Sequence, residues 1–305
     1  MGVRATIRAE SSGVRLTEFA QLVVKGMALG GVYALVALGF VVVFKATGVI
    51  NFAHGSLLLT GAYLTYTTSV LWGLPFALAV MAAAAGAVAL ALAVERLVVR
   101  PLVGQPAVAV VLATLGVAIV VDQLVTVVWG FRPHHIGDPW GAGSVRLGGL
   151  VVSHVDIASL VIVAAMVAAL SLFFLRTDLG LALRAAAADS EAAAAQGIRP
   201  ALVSRTAWAL AALVATAAGV LLASGPGAAT PNLGEMALRA FPAVLLGGFV
   251  SFGGALAGGA LIGVVEVLTA GYAPGQELVV PYLVMLGVLL VRPDGVFGVR
   301  EARRL

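Results

Sequence analysis

The feature that most constrains this chain is a succession of apolar runs with almost no charge inside them. They fall at about 19–44, 51–71, 74–94, 107–129, 155–175, 201–223, 237–270 and 278–291. A run of about 20 such residues is the length an α-helix needs to cross a bilayer, and inside lipid only helices and closed barrels satisfy their own backbone. Composition closes the alternative. The chain is 61% hydrophobic and 10% charged, whereas soluble domains carry roughly 25% charged residues. A water-soluble fold of 305 residues would have nothing with which to cover its surface. The expected fold is therefore all-α, a polytopic transmembrane helical bundle of about eight spans. The seventh run is long enough for one tilted span or for two short helices joined near Ser251–Gly254.

Charge placement sets topology. Arg96 and Arg100, then Arg176, Arg184, Arg199 and Arg205, then Arg292, Arg300, Arg303 and Arg304 cluster between or after apolar runs, as cytoplasmic segments do. The segment 130–154, with three of the four histidines and many glycines, is expected outside. The expected division is an N-terminal tail over 1–18, a transmembrane domain over 19–292, with 130–154 external and 176–200 cytoplasmic, and a cytoplasmic C-terminal tail over 293–305. Counting spans puts the N-terminus outside, while Arg4, Arg8, Arg15 and Lys25 argue for inside. A helix that breaks within the membrane near Asn51 would change the parity, so the side stays open here. The N-terminal stretch does not read as a cleavable signal peptide, because no small-residue site follows its apolar run.

Several chemistries are excluded or unsupported. Without cysteine there is no disulfide or thiolate site, and the histidines lack further ligands, so no metal site is expected. The net charge of +4 fits lipid headgroups and topology rather than nucleic acid. A P-loop needs G-x-x-x-x-G-K-[ST]. The two lysines, Lys25 and Lys45, stand in no such run, so this chain is not itself an ATPase. No Ser/Lys pair, paired aspartates or HExxH suggests an intramembrane enzyme.

What remains are polar residues where they are costly, which in a membrane mark pathways. Asn51 and His54 in "VINFAHGSLLLTGAY" stand before Gly55 and beside Phe52; Glu266 lies in "GVVEVL". The stretch 51–55 reads either as the wall of a path, where a broken helix offers backbone N–H groups to a carboxylate, or as a plain helix start with asparagine as cap. Glu266 either pairs with an arginine or faces a water-filled cavity. Asp122 and Gln123 read as a mouth position or a solvated helix end. Gly254, Gly258, Gly259 and Gly263 have the spacing of close helix packing in lipid. "LRAAAADSEAAAAQG" reads as one short helix ended by Gly197, with the helix breaker Pro200 beyond it.

That last segment, with "EAAAAQGI" at its centre, resembles the loop by which ABC-transporter permeases dock on their ATP-binding subunits. The resemblance implies coupling roles for Arg184, Asp189, Glu191, Ala192, Ala193, Gly197 and Ile198. "GVYALVALGFVVVFKATGVINFAHGSLLLTGAY" resembles the opening of the branched-chain amino-acid permease family, the LivH-type subunit. "AVLLGGFVSFGGALAGGALIGVVEVL" and "LLVRPDGVFG" resemble its later segments, while Lys45 departs from the family pattern. The resemblance implies alternating-access import in a bacterial inner membrane. ATP and magnesium would sit on partner ATP-binding cassette subunits, with no cofactor on this chain. A second permease subunit (LivM-like, or a copy of this one) and an extracytoplasmic binding protein would complete the importer. Urea and amide permeases share the opening motif, so the substrate stays open within that class. The rival from another class is an ion-coupled secondary transporter.

Overall fold

The computed structural model describes residues 2–147, 149–249, 251–292 and 295–296, with side chains from Leu16 onward, Leu147 excepted. In chain order the helices are α1 (Gly2–Thr47), α2 (His54–Tyr66, prolonged by a π turn Thr67–Leu71), α3 (Phe76–Val94, prolonged through Leu102) and α4 (Ala107–Trp129). A hairpin of β1 (Ser144–Leu147) and β2 (Leu150–Ser153) follows, antiparallel with Val145 opposite Val152. Then come α5 (His154–Arg176), α6 (Asp178–Ala188), α7 (Ser190–Ala195), α8 (Pro200–Ala223), a 3-10 turn Pro231–Glu235, α9 (Met236–Arg239), α10 (Phe241–Gly247), α11 (Phe252–Tyr272) and α12 (Val280–Val291).

Six of these helices are long and apolar enough to cross a membrane: Leu16–Thr47, Phe76–Leu102, Ala107–Trp129, His154–Arg176, Pro200–Ala223 and Phe252–Tyr272. The remaining passes are short or broken. α2 starts deep in the bundle, the stretch from Ala229 to Gly247 is a chain of short turns, and α12 has 12 residues. The long apolar run 237–270 resolves into the end of α9, then α10 and α11; the chain breaks at Gly248 (φ 78°) and restarts at the cap Ser251, whose hydroxyl accepts the Gly254 N–H.

α1 is the axis of the fold. From Val32 to Val43 every residue but Gly39 carries an apolar or aromatic side chain nearly out of contact with solvent, Tyr33 alone bringing a hydroxyl. A helix apolar on all faces belongs in the centre of a bundle. α8 is buried along most of its length as well. α4, by contrast, turns Leu112, Ile119, Leu124, Val127 and Val128 outward, a face suited to acyl chains.

The helices approach by omitting side chains. A Cβ on Gly30 would lie 2.7 Å from the Gly259 carbonyl oxygen, and one on Gly259 would lie 2.6 Å from the Gly30 oxygen; Gly263 meets the Gly30 backbone in the same way. Gly254 and Gly258 face the other neighbour, against Gly247 and Ala243 of α10. Each pair four residues apart thus serves one interface of α11, where van der Waals contact replaces the missing hydrophobic drive. α3 does the same with alanine: Ala79, Ala83, Ala87 and Ala91, spaced by four, are fully buried.

The two ends of the bundle are chemically distinct. At one end the hairpin receives the Gln21 side-chain amide on the Val151 carbonyl, and Ala229 pairs with His134. At the other, α6 and α7 lie near the end of α1, the α3–α4 connection and the start of α8. α1 therefore runs from the hairpin end to the α6–α7 end, and α2 returns, since Trp129 Nε1 donates to Thr67 Oγ1 at 2.8 Å and His134 stacks on Tyr66. The break near Asn51 leaves the parity unchanged. Of the tail at 293–305, only Gly295 and Val296 are described; Arg300, Arg303 and Arg304 lie outside the described residues, as do the side chains of Arg4, Arg8 and Arg15.

Candidate functional site at a broken helix

The break begins where α1 ends. Gly48 takes φ 70° and its N–H bonds the Phe44 carbonyl at 2.7 Å, a left-handed helix stop that favours glycine. The chain then turns back into the bundle. Asn51 Oδ1 accepts the Ala53 N–H at 3.0 Å, and the Asn51 carbonyl accepts the His54 N–H at 3.3 Å. Asn51 therefore forms an Asx turn two residues ahead of the cap position rather than serving as the cap. The cap position belongs to Ala53, which offers no side-chain acceptor.

His54 shows how far α2 starts from the surface. Its ring fills the place a Cβ on Gly39 would occupy and packs 4.8 Å from the Phe40 ring. Gly39 lies eight residues before the end of α1, about 12 Å along the axis. His54 is fully buried, and neither ring nitrogen makes a hydrogen bond of good geometry, although the Val36 carbonyl lies on the facing surface of α1. Asn51 Nδ2 is likewise buried and unbonded. Buried polar atoms are rarely left so.

A second polar group borders the first turn of α2. Ser56 Oγ donates to Asp122 Oδ1 at 2.7 Å, and the Phe52 N–H donates to Thr114 Oγ1 at 3.2 Å, so α4 ties the break from one side. Asp122 is therefore not a solvated helix end; its partner is the start of α2. From the other side Gly55 meets the Gly234 carbonyl, where a Cβ would collide. The 3-10 turn and α9 continue there with Asn232 and Glu235 exposed and Arg239 half-buried, at the level of a helix break inside the bundle. Glu235 and Arg239 were not singled out from sequence; the available signal was two charges flanking "MAL" near the start of an apolar run.

Glu266 sits elsewhere. Its Oε2 accepts the Tyr33 hydroxyl at 2.8 Å, and on the same side Tyr282 donates to the Leu238 carbonyl. Tyr33 lies seven residues from Phe40 on α1, about 10 Å, so the structure does not bring Glu266 to the 51–55 stretch. Its partner is a tyrosine, while Arg239 bears on it only at longer range.

The alanine-rich segment divides in two, where sequence suggested one helix. Asp189 takes extended φ −158°, ends α6 and caps α7, its Oδ1 accepting the N–H groups of Glu191 (3.0 Å) and Ala192 (2.9 Å). A short acid that captures two free N–H groups outcompetes helix continuation. Gly197 (φ 89°) closes α7, with the Ile198 N–H on the Ala193 carbonyl at 3.1 Å. Arg184, Asp189, Glu191, Ala192 and Gly197 are exposed; Ala193 is buried and Ile198 half-buried against the bundle.

The family described as "Branched-chain amino acid transport system / permease component" matches residues 22–289. The high-affinity branched-chain amino acid transport system permease protein LivH of Salmonella typhimurium (strain LT2) is 31% identical, over 94% of this chain and 98% of that protein. LivH of Escherichia coli K12 is 30% identical and BraD of Pseudomonas aeruginosa 31%, with the same coverage. Among solved structures, PsaBC from Streptococcus pneumoniae in complex with Fab superposes with a TM-score of 0.51 at 13% identity, covering 94% of this chain and 97% of that one, a likeness of fold.

Proposed function

The chain belongs to the family of branched-chain amino acid transport permease components, and on that premise we propose that it carries branched-chain amino acids across the membrane at its broken helix. It is a multi-pass inner-membrane permease subunit of an ABC importer and works with ATPase and other partner subunits. The finer assignments are ours. ATP and magnesium bind separate cassette subunits, which dock on α6–α7 through Arg184, Asp189, Glu191, Ala192 and Gly197. A second permease subunit completes the path, and an extracytoplasmic binding protein delivers the ligand at the hairpin end. With α6–α7 inside, the N-terminal half of α1 reaches the outer face.

The observation that carries the path assignment is the start of α2 inside the bundle, with Asn51 and His54 buried and the Asn51 Nδ2 and His54 ring nitrogens without a hydrogen bond of good geometry. Polar groups at such depth are expensive without a task. A helix N-terminus suits the substrate carboxylate, Asp122 and Glu235 suit its ammonium, and Phe52 gives an apolar wall. Glu266 would act through Tyr33, apart from this wall.

The test is uptake of labelled leucine by the importer assembled with its partner subunits in proteoliposomes. Uptake that requires ATP and survives collapse of the proton gradient is expected. Uptake by this chain alone, abolished when the gradient is collapsed, would overturn the reading in favour of an ion-coupled carrier.

A further inference from the structure

At the α6–α7 end, beside the turn that ends α1, lies a cavity of about 450 Å³. Its walls come from the end of α1 (Thr47, Val49), the prolonged end of α3 (Glu95, Val99, Arg100), the first turn of α4 (Val110) and the start of α8 (Ser204). Glu95 is 1% exposed. Its Oε2 accepts no hydrogen bond, and the ion pair it makes, with Arg205 Nε, is long at 3.7 Å. Glu95 also opens a π turn, Glu95–Val99, as Thr67 does at the end of α2, and such turns are frequent at functional sites. The sequence had marked none of this: a glutamate at the end of an apolar run looks like an ordinary helix terminus.

A buried carboxylate oxygen held only by one long ion pair to Arg205 is under-satisfied, and a second cationic group with N–H donors would complete it. A bare metal ion fits poorly, because a hard cation needs six or so oxygen ligands, and this wall is mostly valine, leucine, alanine and proline. An ammonium attached to a small branched aliphatic body fits better: the ammonium on Glu95, the body against Val49, Val99 and Val110. Arg100, exposed at the rim, is placed for a carboxylate.

We propose that this cavity is a binding site for a free aliphatic α-amino acid on the side of the membrane where α6 and α7 lie, beside the helix break and distinct from the wall formed by Asn51–Gly55. Only the branched side chain of the ligand rests on the branched-chain reading; ammonium and carboxylate are read from the cavity. The site joins α1, α3 and α8 seven residues beyond the turn at Gly197, so occupancy ties together segments that must shift if α7 drives transport. A ligand that binds one arrangement better than another holds it there. Accumulated product at this site therefore slows the importer.

The experiment uses the assembled importer without its binding protein, and leucine carrying a diazirine on its side chain. Photolabelling is expected within 95–110 and 200–204, with Glu95→Gln weakening the labelling affinity at least tenfold. Ser204→Phe, which fills the cavity without touching the charge, is expected to do the same should the glutamine variant fail to assemble. Leucinamide should compete, and 4-methylpentanoate, which lacks the ammonium, should not. Labelling that leaves these segments untouched, or equal competition by 4-methylpentanoate, would overturn the site. If the wild-type complex imports leucine once its binding protein is restored, yet shows no such labelling, this inference fails alone. Should it neither import nor bind leucine while another solute is carried, the substrate reading itself has failed.

Discussion

The imidazole of His54 occupies the space that a Cβ on Gly39 would fill. The two residues lie on different helices and on opposite sides of the break, so glycine at 39 is the complement of histidine at 54. Gly39→Ala should force the ring, and with it the start of α2, to move, at a cost of about 1–3 kcal/mol from overpacking. His54→Ala in the Gly39→Ala background should recover part of that loss. Thermal unfolding of the four proteins in one detergent measures the coupling, and strict additivity would contradict the contact.

The glycine contacts between α1 and α11 make a sharper stability test. Gly259→Ala places a methyl group against the backbone of Gly30 and Ala34; a loss of about 1–3 kcal/mol is expected. Gly253, on the same helix, has open space where its Cβ would be. Gly253→Ala should instead be neutral or stabilising, by up to about 1 kcal/mol from helix propensity. Comparing the two melting temperatures separates packing from propensity.

Glu266 and Tyr33 form a buried pair whose role can be read from which variant fails. Glu266→Gln keeps an acceptor for the Tyr33 hydroxyl and should retain most stability. Glu266→Ala strands that hydroxyl and should cost about 1–3 kcal/mol. If the carboxylate charge takes part in transport, Glu266→Gln will lower leucine uptake while leaving the melting temperature nearly in place. Uptake that follows stability across both variants points to a structural pair.

Asp189 divides the alanine-rich segment and caps α7 with two hydrogen bonds. Asp189→Ala should weaken the cap by about 1 kcal/mol and lower substrate-stimulated ATPase activity in the assembled complex. Asp189→Ser, which can still cap, should restore most of it. An alanine variant coupled as tightly as wild type would remove the capped α7 from the coupling assignment.

Much of this was legible before any coordinates. Apolar runs announce spans because lipid offers the backbone no partner, so length and hydropathy carry the information locally. Gly197 and Pro200 announced a helix end for the same reason, since both act through their own backbone. Asp189 could have been read as a stop, but the surrounding alanines argued for continuity, and only the geometry shows the cap outcompeting them. Asn51 looked like a cap and is an Asx turn, a difference of two residues that the sequence alone could not decide.

Other features are properties of pairs. That Gly259 and Gly263 face α1 while Gly254 and Gly258 face α10, that Asp122 meets Ser56, and that Glu95 ends in a cavity beside α8 all depend on which helices become neighbours. In lipid, water no longer sorts apolar faces from one another. Hydropathy by itself therefore determined that the chain crosses the membrane and roughly where. Which helix lies against which, and so where each polar side chain points, was decided by close packing and hydrogen bonds between residues far apart in the chain.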